Sequence, residues 1–232
     1  MIPRCASWFA IGLLACSPAP ATRELDLDLI KIETAQMRTD TVGSSPFVDT
    51  ATFVLVEARN TASEGAYVTL AGQLIDDAGV VIAELAMQSL WVPAGDSRTF
   101  ALVDSERKPR PTAKSARARV RGASIQPAPL AHLDDLHRFD DNGRIVLQAY
   151  VTNDAPRDGL IMVVGSFYDT NGRPMTRPFS VVKMAARQDP STPGDCPDVD
   201  TDLRPMASKC TVRLIGPRGA SRGTMFIGDT QY

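Results

Sequence analysis

Residues 52–79 read TFVLVEARNTASEGAYVTLAGQLIDDAG, and residues 145–172 read IVLQAYVTNDAPRDGLIMVVGSFYDTNG. At an offset of 93 residues the two stretches share five identical residues, four of which are strand glycines or turn formers. The identical pairs are Asn60/Asn153, Ala62/Ala155, Gly72/Gly165, Asp76/Asp169 and Gly79/Gly172. Because apolar residues align between these points, the pattern predicts two copies of one β unit.

The similarity continues further along each copy, but at a larger offset. Residues 93–102 align with residues 205–214 at an offset of 112. The two offsets differ by 19 residues, which is the size of an insertion in the second copy. We place this insertion at residues 187–203, a segment that contains five Asp residues and Cys196.

Local patterns within each copy favour β-strands. Residues 53–56 form a continuous apolar run, as expected for a strand buried on both faces. Residues 68–74 alternate between apolar and smaller or polar side chains, which is the period of a strand with one buried face. The turns predicted at 76–79 and 169–172 end in a Gly, which supplies positive φ.

Two further segments complete the fold prediction. The alternating residues 25–29 predict a first strand, and a slip of phase at Ile30 and Ile32 predicts a bulge in it. Residues 132–137, between the two copies, are the best candidate for a helical turn. Short strands with turns about every 8–12 residues are typical of β-sandwiches. The predicted fold class is all-β, with two tandem immunoglobulin-like antiparallel β-sandwiches.

The second copy contains Gly165-Ser-Phe-Tyr-Asp-Thr-Asn-Gly172, which resembles the core motif of the FxLYD type of immunoglobulin-like module. The resemblance covers most of 24–125 and 140–232, although Leu74-Ile75 replaces the aromatic pair in the first copy. It implies a small antiparallel sandwich of the kind found on bacterial envelope proteins. It transfers no catalytic residue, because the motif contains none.

The N-terminus resembles a lipoprotein signal. Arg4 precedes an apolar run over residues 6–15, which is shorter than the ~20 residues of a membrane-spanning helix but matches a secretory signal. Leu13-Leu14-Ala15-Cys16 resembles a bacterial lipobox, which implies cleavage before Cys16, lipidation of its thiol and stable anchoring by several acyl chains. Ser17, in place of Asp, implies the outer membrane. The alternative is an ordinary signal peptide with a chance cysteine.

These features predict the following organisation. Residues 1–15 are the signal peptide, 16–23 a tether, 24–125 the first sandwich, 126–142 a linker and 143–232 the second sandwich.

The two cysteines that remain after cleavage and lipidation are Cys196 and Cys210. In an oxidising compartment a disulfide is the default for such a pair. A zinc site would need two more ligands nearby, and none stands at metal spacing. We therefore expect a disulfide that closes the insertion.

Two groups of residues suggest cation sites. His132 and His137 enclose two Asp residues, but the i, i+5 spacing does not place both rings on one helical face, and a solvated linker is the simpler interpretation. Asp198, Asp200 and Asp202 alternate as in the opening of a calcium loop. The Gly and Glu that complete a helix-loop-helix calcium site are missing, so either a looser calcium site or an acidic surface loop fits the pattern.

Two features suggest binding surfaces. The segment 107–121 contains seven basic residues, which would be attracted to lipid headgroups, lipopolysaccharide or the acidic insertion. Arg117, Arg119 and Arg121 alternate with apolar residues, so the simpler interpretation is a strand with a solvated face. Trp91 could pack at a sandwich edge or anchor a partner, as tryptophan often does in interfaces.

Composition and motifs argue against several classes of function. The 232 residues include 25 Lys and Arg against 27 Asp and Glu, a net charge of −2, which argues against nucleic acid. No nucleophile elbow or P-loop appears. We expect a non-enzymatic envelope lipoprotein that is held at the membrane by its lipid anchor and binds a protein partner, with no small-molecule substrate. The alternatives are a calcium- or metal-dependent binding module using the insertion and, more weakly, an enzyme near His132 and His137.

Overall fold

The structure is a computed structural model that describes residues 23–44, 47–185 and 209–231. These residues form thirteen β-strands and one 3₁₀ turn at Leu27–Leu29, and none of their helical segments is long and apolar enough to cross a bilayer. The strands are β1 (Arg23–Glu24), β2 (Ile30–Ser44), β3 (Phe47–Asn60), β4 (Ala66–Ile75), β5 (Val81–Val92), β6 (Ser97–Val103), β7 (Ser115–Ile125), β8 (Ala131–Asp140), β9 (Arg144–Asn153), β10 (Gly159–Tyr168), β11 (Phe179–Ala185), β12 (Lys209–Arg218) and β13 (Arg222–Gln231).

The strands form two antiparallel sandwiches of two sheets each. The first sandwich combines the sheet β2–β3–β6 with the sheet β1–β7–β4–β5, and the second combines β8–β9–β12 with β11–β10–β13. Strands β2 to β7 match β8 to β13 one for one, both in chain order and in their neighbours, and β1 is an addition to the first copy. The predicted fold of two tandem all-β sandwiches is therefore confirmed.

A buried asparagine makes the same contacts in both copies. Asn60 Nδ2 donates to the carbonyl oxygens of Glu64 and Val92, at 2.8 and 3.1 Å, and Asn60 Oδ1 accepts from the Ala62 amide at 3.0 Å. Asn153 repeats these bonds with residues 93 positions later in the chain. Its partners are Arg157, Ala185 and Ala155. The side chain thus ties the loop after its strand to the end of the second strand after that loop, and all of its buried polar atoms are paired.

The repeated glycines have steric and conformational roles. A Cβ on Gly165 would lie 2.3 Å from Leu214 Cδ1, and one on Gly72 would lie 3.2 Å from Cδ1 of the aligned Leu102. The two sheets therefore approach so closely at this position that a side chain would have to displace a core leucine. The turn residue Gly172 has φ of +74°, as the sequence predicted for that turn.

Each sandwich has its own apolar core, and the two cores meet. Val164 and Met162 of β10, with Phe226 of β13, turn away from the second core and pack against the core of the first sandwich. Val164 is 3% exposed, and a Cβ on Gly228 would lie 3.6 Å from Leu90 Cδ2. The sheet β11–β10–β13 is therefore buried on both of its faces along this contact.

Polar contacts reinforce this interface. The Arg38 guanidinium donates to the carbonyl oxygens of Pro174, at 2.9 Å, and Met175. Thr99 Oγ1 lies 2.9 Å from the Tyr168 hydroxyl. Arg38 and Thr99 belong to the sheet β2–β3–β6, and the Tyr67 hydroxyl of β4, in the other sheet, donates to Asp229 at 3.1 Å. Strands of both sheets of the first sandwich therefore take part, and the two copies are joined by more than the short chain segment between them.

The predicted linker and helical turn are wrong for residues 131–140, which form strand β8 of the second sandwich. The chain connection between the last strand of the first sandwich and the first strand of the second consists of residues 126–130 alone. The pairing of β8 with β9 shifts between Asp134 and His137, and Asp135 has φ of +49°. This bulge breaks the two-residue period of the strand, so the sequence lacks the alternation of apolar and polar residues that indicates a strand.

The first predicted strand is also wrong over residues 25–29. Asp26 Oδ1 accepts a hydrogen bond from the Asp28 amide at 3.0 Å, and this local bond caps the 3₁₀ turn that follows. The strand β2 begins at Ile30, and its register shifts between Ile32 and Thr34. A bulge is therefore present close to the predicted phase slip, and the predicted tether ends one residue earlier because Arg23 belongs to β1.

Candidate interaction surfaces

Three arginines form a row on the outer face of the first sandwich. Arg117, Arg119 and Arg121 are exposed along β7, and the apolar residues between them pack against the core. Alternate residues of a strand are about 7 Å apart. Within the described part of the chain, none of the three guanidinium groups has a hydrogen-bond or ion-pair partner. We call these residues the arginine row. The sequence predicted their alternation correctly.

Three basic residues of the loop before β7, Arg107, Lys108 and Arg110, are neutralised by carboxylates. Arg110 Nε donates to the fully buried Asp104 carboxylate at 2.8 Å, and the amides of Glu106 and Lys108 donate to the same group. Burial opposes the charge of Asp104, but these hydrogen bonds outweigh it and lower the pKa of the carboxyl. Arg107 and Lys108 each pair with a surface carboxylate. The segment up to Arg110 is therefore a structural loop, whereas Lys114 and the arginine row have no carboxylate partner among the described residues.

Trp91 lies at the junction of the two sandwiches. Its ring packs on Gly65, where a Cβ would lie 2.6 Å from Trp91 Cζ2. Together with Pro129 and Phe226 it borders a shallow groove of about 350 Å³. Its Nε1 is buried without a hydrogen-bond partner among the described residues. The side chain thus belongs to the edge of the interface between the copies.

His132 lies between two carboxylates at the start of β8. Its Nδ1 is 2.6 Å from Asp154 Oδ2, and its Nε2 is 3.1 Å from Asp134 Oδ1. The hydrogen bond to Asp154, with the nearby charge of Asp134, raises the pKa of His132. His137 lies beyond the bulge, so the two histidines do not form one site. Among the described residues, no three His, Cys, Asp or Glu side chains are grouped as metal ligands.

A cleft of about 640 Å³ opens between the sandwiches. Glu57, half-buried on β3, accepts a hydrogen bond from Thr99 Oγ1 at 2.7 Å, and Arg222 lies 4.4 Å from the ring centre of Tyr168. Burial raises the pKa of Glu57, and the nearby Glu33 adds to this. Neither histidine lines the cleft. No sequence pattern indicates this cleft, because its lining residues come from strands distant in the chain.

The strand β8 is an edge strand of the sheet β12–β9–β8. Residues 135–140 are exposed, and they include Leu136 and Phe139, which are 48% and 41% exposed. An exposed edge with large apolar side chains can accept another strand by main-chain hydrogen bonds. The sequence did not predict this surface, because the linker predicted over residues 126–142 includes β8.

Several predicted sites lie outside the described residues. These are the lipidation site Cys16, the disulfide partner Cys196, and the carboxylates Asp198, Asp200 and Asp202. Cys210 is fully buried in β12, within the core of the second sandwich. Its pairing with Cys196 and the calcium site remain predictions.

Comparison with known proteins gives no family. No family model matches the chain, and no curated protein matches its sequence. Among solved structures, red sea bream transglutaminase is similar at 14% identity and a TM-score of 0.21, over 83% of this chain and 27% of that one. The chain therefore spans about a quarter of that protein's length. A TM-score this low supports no conclusion about function.

Proposed function

We propose that the chain is a non-enzymatic lipoprotein of the bacterial envelope that is anchored in the outer membrane through Cys16 and serves as a rigid protein-interaction module. The anchor rests on the lipobox-like sequence before Cys16 and on the FxLYD-like motif. The interaction role rests on the edge of β8, which presents Leu136 and Phe139 on a scaffold of two sandwiches.

Rigidity supports this role. Val164 and Phe226 of the second sandwich lie against the core of the first, and Arg38 and Thr99 add hydrogen bonds across the same contact. A surface held on such a scaffold loses little conformational freedom when it binds, which favours affinity. The partner that fits β8 is a protein that offers an extended strand.

The partner is tested by photo-crosslinking in intact cells. Two variants carry a photoreactive residue in place of Leu136 or Phe139 on β8. A third variant, the control, carries it in place of Val80, an exposed apolar residue of the first sandwich. We expect a discrete protein adduct from positions 136 and 139 and none from position 80. Adducts that are equal at all three positions, or absent from all three, would overturn the interaction role of β8.

The anchor is tested with matched cysteine variants. Cys16→Ser should move the protein from the membrane fraction to the soluble fraction and remove the acyl mass. Cys5→Ser should change neither, because Cys5 leaves with the signal peptide. If the Cys16→Ser protein stays acylated in the membrane, the lipoprotein assignment is wrong.

The crosslinking experiment is repeated on a variant that lacks residues 187–203. Loss of the adduct in that variant would move the interface to the insertion.

A further inference from the structure

We propose that the arginine row of β7 is a docking surface for a bilayer with anionic headgroups, so that the outer face of the sheet β1–β7–β4–β5 lies against the membrane. The inference builds on the proposed anchoring, because a tether near the row holds it at the membrane surface. It specifies how the protein is oriented on the bilayer and which of its surfaces face away from the membrane.

The charges of the row are available to an outside partner. Arg117, Arg119 and Arg121 have no carboxylate partner in the described part of the chain, and neither has the exposed Lys114 just before β7. The basic residues earlier in the same loop, Arg107, Lys108 and Arg110, are all paired. Three like charges about 7 Å apart on one strand repel one another. An anionic surface relieves this repulsion, and it matches the row because headgroup charges are spread over a plane.

An exposed apolar residue accompanies the row. Arg119 lies opposite Ala71 on β4, and the β5 pairing skips residues 86 and 87 at the same level. Met87, in this bulge, is 64% exposed and is the most exposed of the large apolar side chains described. Met87 is on β5, two strands from the row in the same sheet. Cationic and exposed apolar side chains on one surface are the combination found in helices that lie at membrane interfaces.

The position of the tether favours a membrane. Strand β1 pairs Arg23 with Ile125 and Glu24 with Ser124, at the end of β7. Cys16 and Arg23 are seven positions apart in the chain, so at most about 25 Å can separate them, and Arg121 lies about 14 Å along the strand from Ile125. A bilayer that holds Cys16 is therefore within reach of the row.

The acidic insertion is the other candidate occupant within this chain. The described residues on either side of it, Ala185 of β11 and Lys209 of β12, both belong to the second sandwich. The second sandwich contacts the first at β5 and through Arg38 on β2, Tyr67 on β4 and Thr99 on β6. None of these residues belongs to β7, and β5 and β7 are on opposite sides of β4. This arrangement favours the membrane over the insertion.

The test measures vesicle binding by the chain from residue 17 onward, which keeps every described residue and lacks Cys16. Vesicles contain either 30% phosphatidylglycerol in phosphatidylcholine or phosphatidylcholine alone. One variant is Arg117→Gln/Arg119→Gln/Arg121→Gln. The matched control, Lys31→Gln/Arg144→Gln/Arg173→Gln, removes the same charge from three exposed residues elsewhere that also have no ion-pair partner among the described residues.

We expect binding to the anionic vesicles only, with loss of binding at 0.5 M salt. The row variant should bind roughly a hundredfold more weakly, since each basic residue near an anionic surface contributes about fivefold, and the control should bind as the parent does. Replacing the three arginines by Lys should preserve binding. A thermal melt of each variant establishes that it is folded.

Three outcomes would overturn the proposal. They are equal weakening in the row variant and the control, no preference for anionic vesicles, and binding that appears only after residues 187–203 are deleted, which would assign the row to the insertion. Because this protein carries no lipid, failure here leaves the lipidation and crosslinking results of the proposed function untouched.

Discussion

Asn60 and Asn153 set the geometry of each β unit through one side chain. We expect Asn153→Ala to lower the free energy of unfolding by about 2–3 kcal/mol, because the carbonyl oxygens of Arg157 and Ala185 lose a buried donor. Urea denaturation measures the change. Asn171→Ala, in an exposed turn, is the control and should stay within about 0.5 kcal/mol of the parent. Equal effects at the two sites would contradict this role.

His132 gives the stability of the second sandwich a pH dependence. Asp154, and then Asp134, raise the pKa of His132 in the folded protein. The imidazolium therefore adds stability that is complete below its unfolded pKa of about 6.5 and is lost as the pH rises through the folded value. His132→Gln should destabilise the protein at pH 5.5 and have no effect at pH 9.

Exposure to solvent limits how much stability the His132 imidazolium contributes. Because the His132 side chain is 49% exposed, we expect a loss of less than about 1 kcal/mol at pH 5.5. Denaturation of the parent and of His132→Gln across the pH range measures it, with His137→Gln as the control. A difference that grows toward pH 9 would have the wrong sign and would refute the ion-pair explanation.

At the scale of an element, the loop between β6 and β7 is organised around Asp104. We expect Asp104→Ala to lower the free energy of unfolding by about 2–3 kcal/mol, because Arg110 loses a charged partner and the two amides lose their acceptor. Since the pKa of Asp104 is lowered, its contribution is present above the unfolded value of about 3.9 and is lost as the pH falls through the folded value.

Comparison with a neighbouring carboxylate isolates this effect. Glu106→Ala removes a surface carboxylate of the same loop and should lower the free energy of unfolding much less than Asp104→Ala does, because water screens an exposed ion pair. Thermal unfolding at pH 7 and at pH 3 separates the two variants. If Asp104→Ala and Glu106→Ala behave alike at pH 7, the loop is not held by the buried carboxylate.

Strand β8 shows where sequence patterns fail at this scale. An alternation of apolar and polar side chains would have predicted a strand here. The bulge at Asp135 shifts the phase of that alternation, and six consecutive residues are exposed. Pairing with β9 holds the segment in the sheet, and that pairing depends on residues outside any local window. The turns at 76–79 and 169–172, in contrast, were predicted because their hydrogen bonds are local.

At the scale of the whole molecule, the contact between the sandwiches couples their unfolding. We expect one calorimetric transition for the parent protein. Val164→Asp places an unpaired charge in the interface, which is costly to bury, and should divide the unfolding into two transitions. Met87→Asp, at an exposed position, should retain one transition. A single unchanged transition in the Val164→Asp protein would mean that the contact does not couple the two copies.

The sequence by itself determined the repeat, the β character of both copies, the turns and the alternation of the arginines, because each of these depends on neighbours a few residues away. The tertiary structure alone decided which charges are neutralised, that β8 is an edge strand, and that the outer face of β10 is buried against the first core. These features depend on which surfaces meet in space. Two faces with the same local pattern can be either exposed or buried, and only long-range packing distinguishes them.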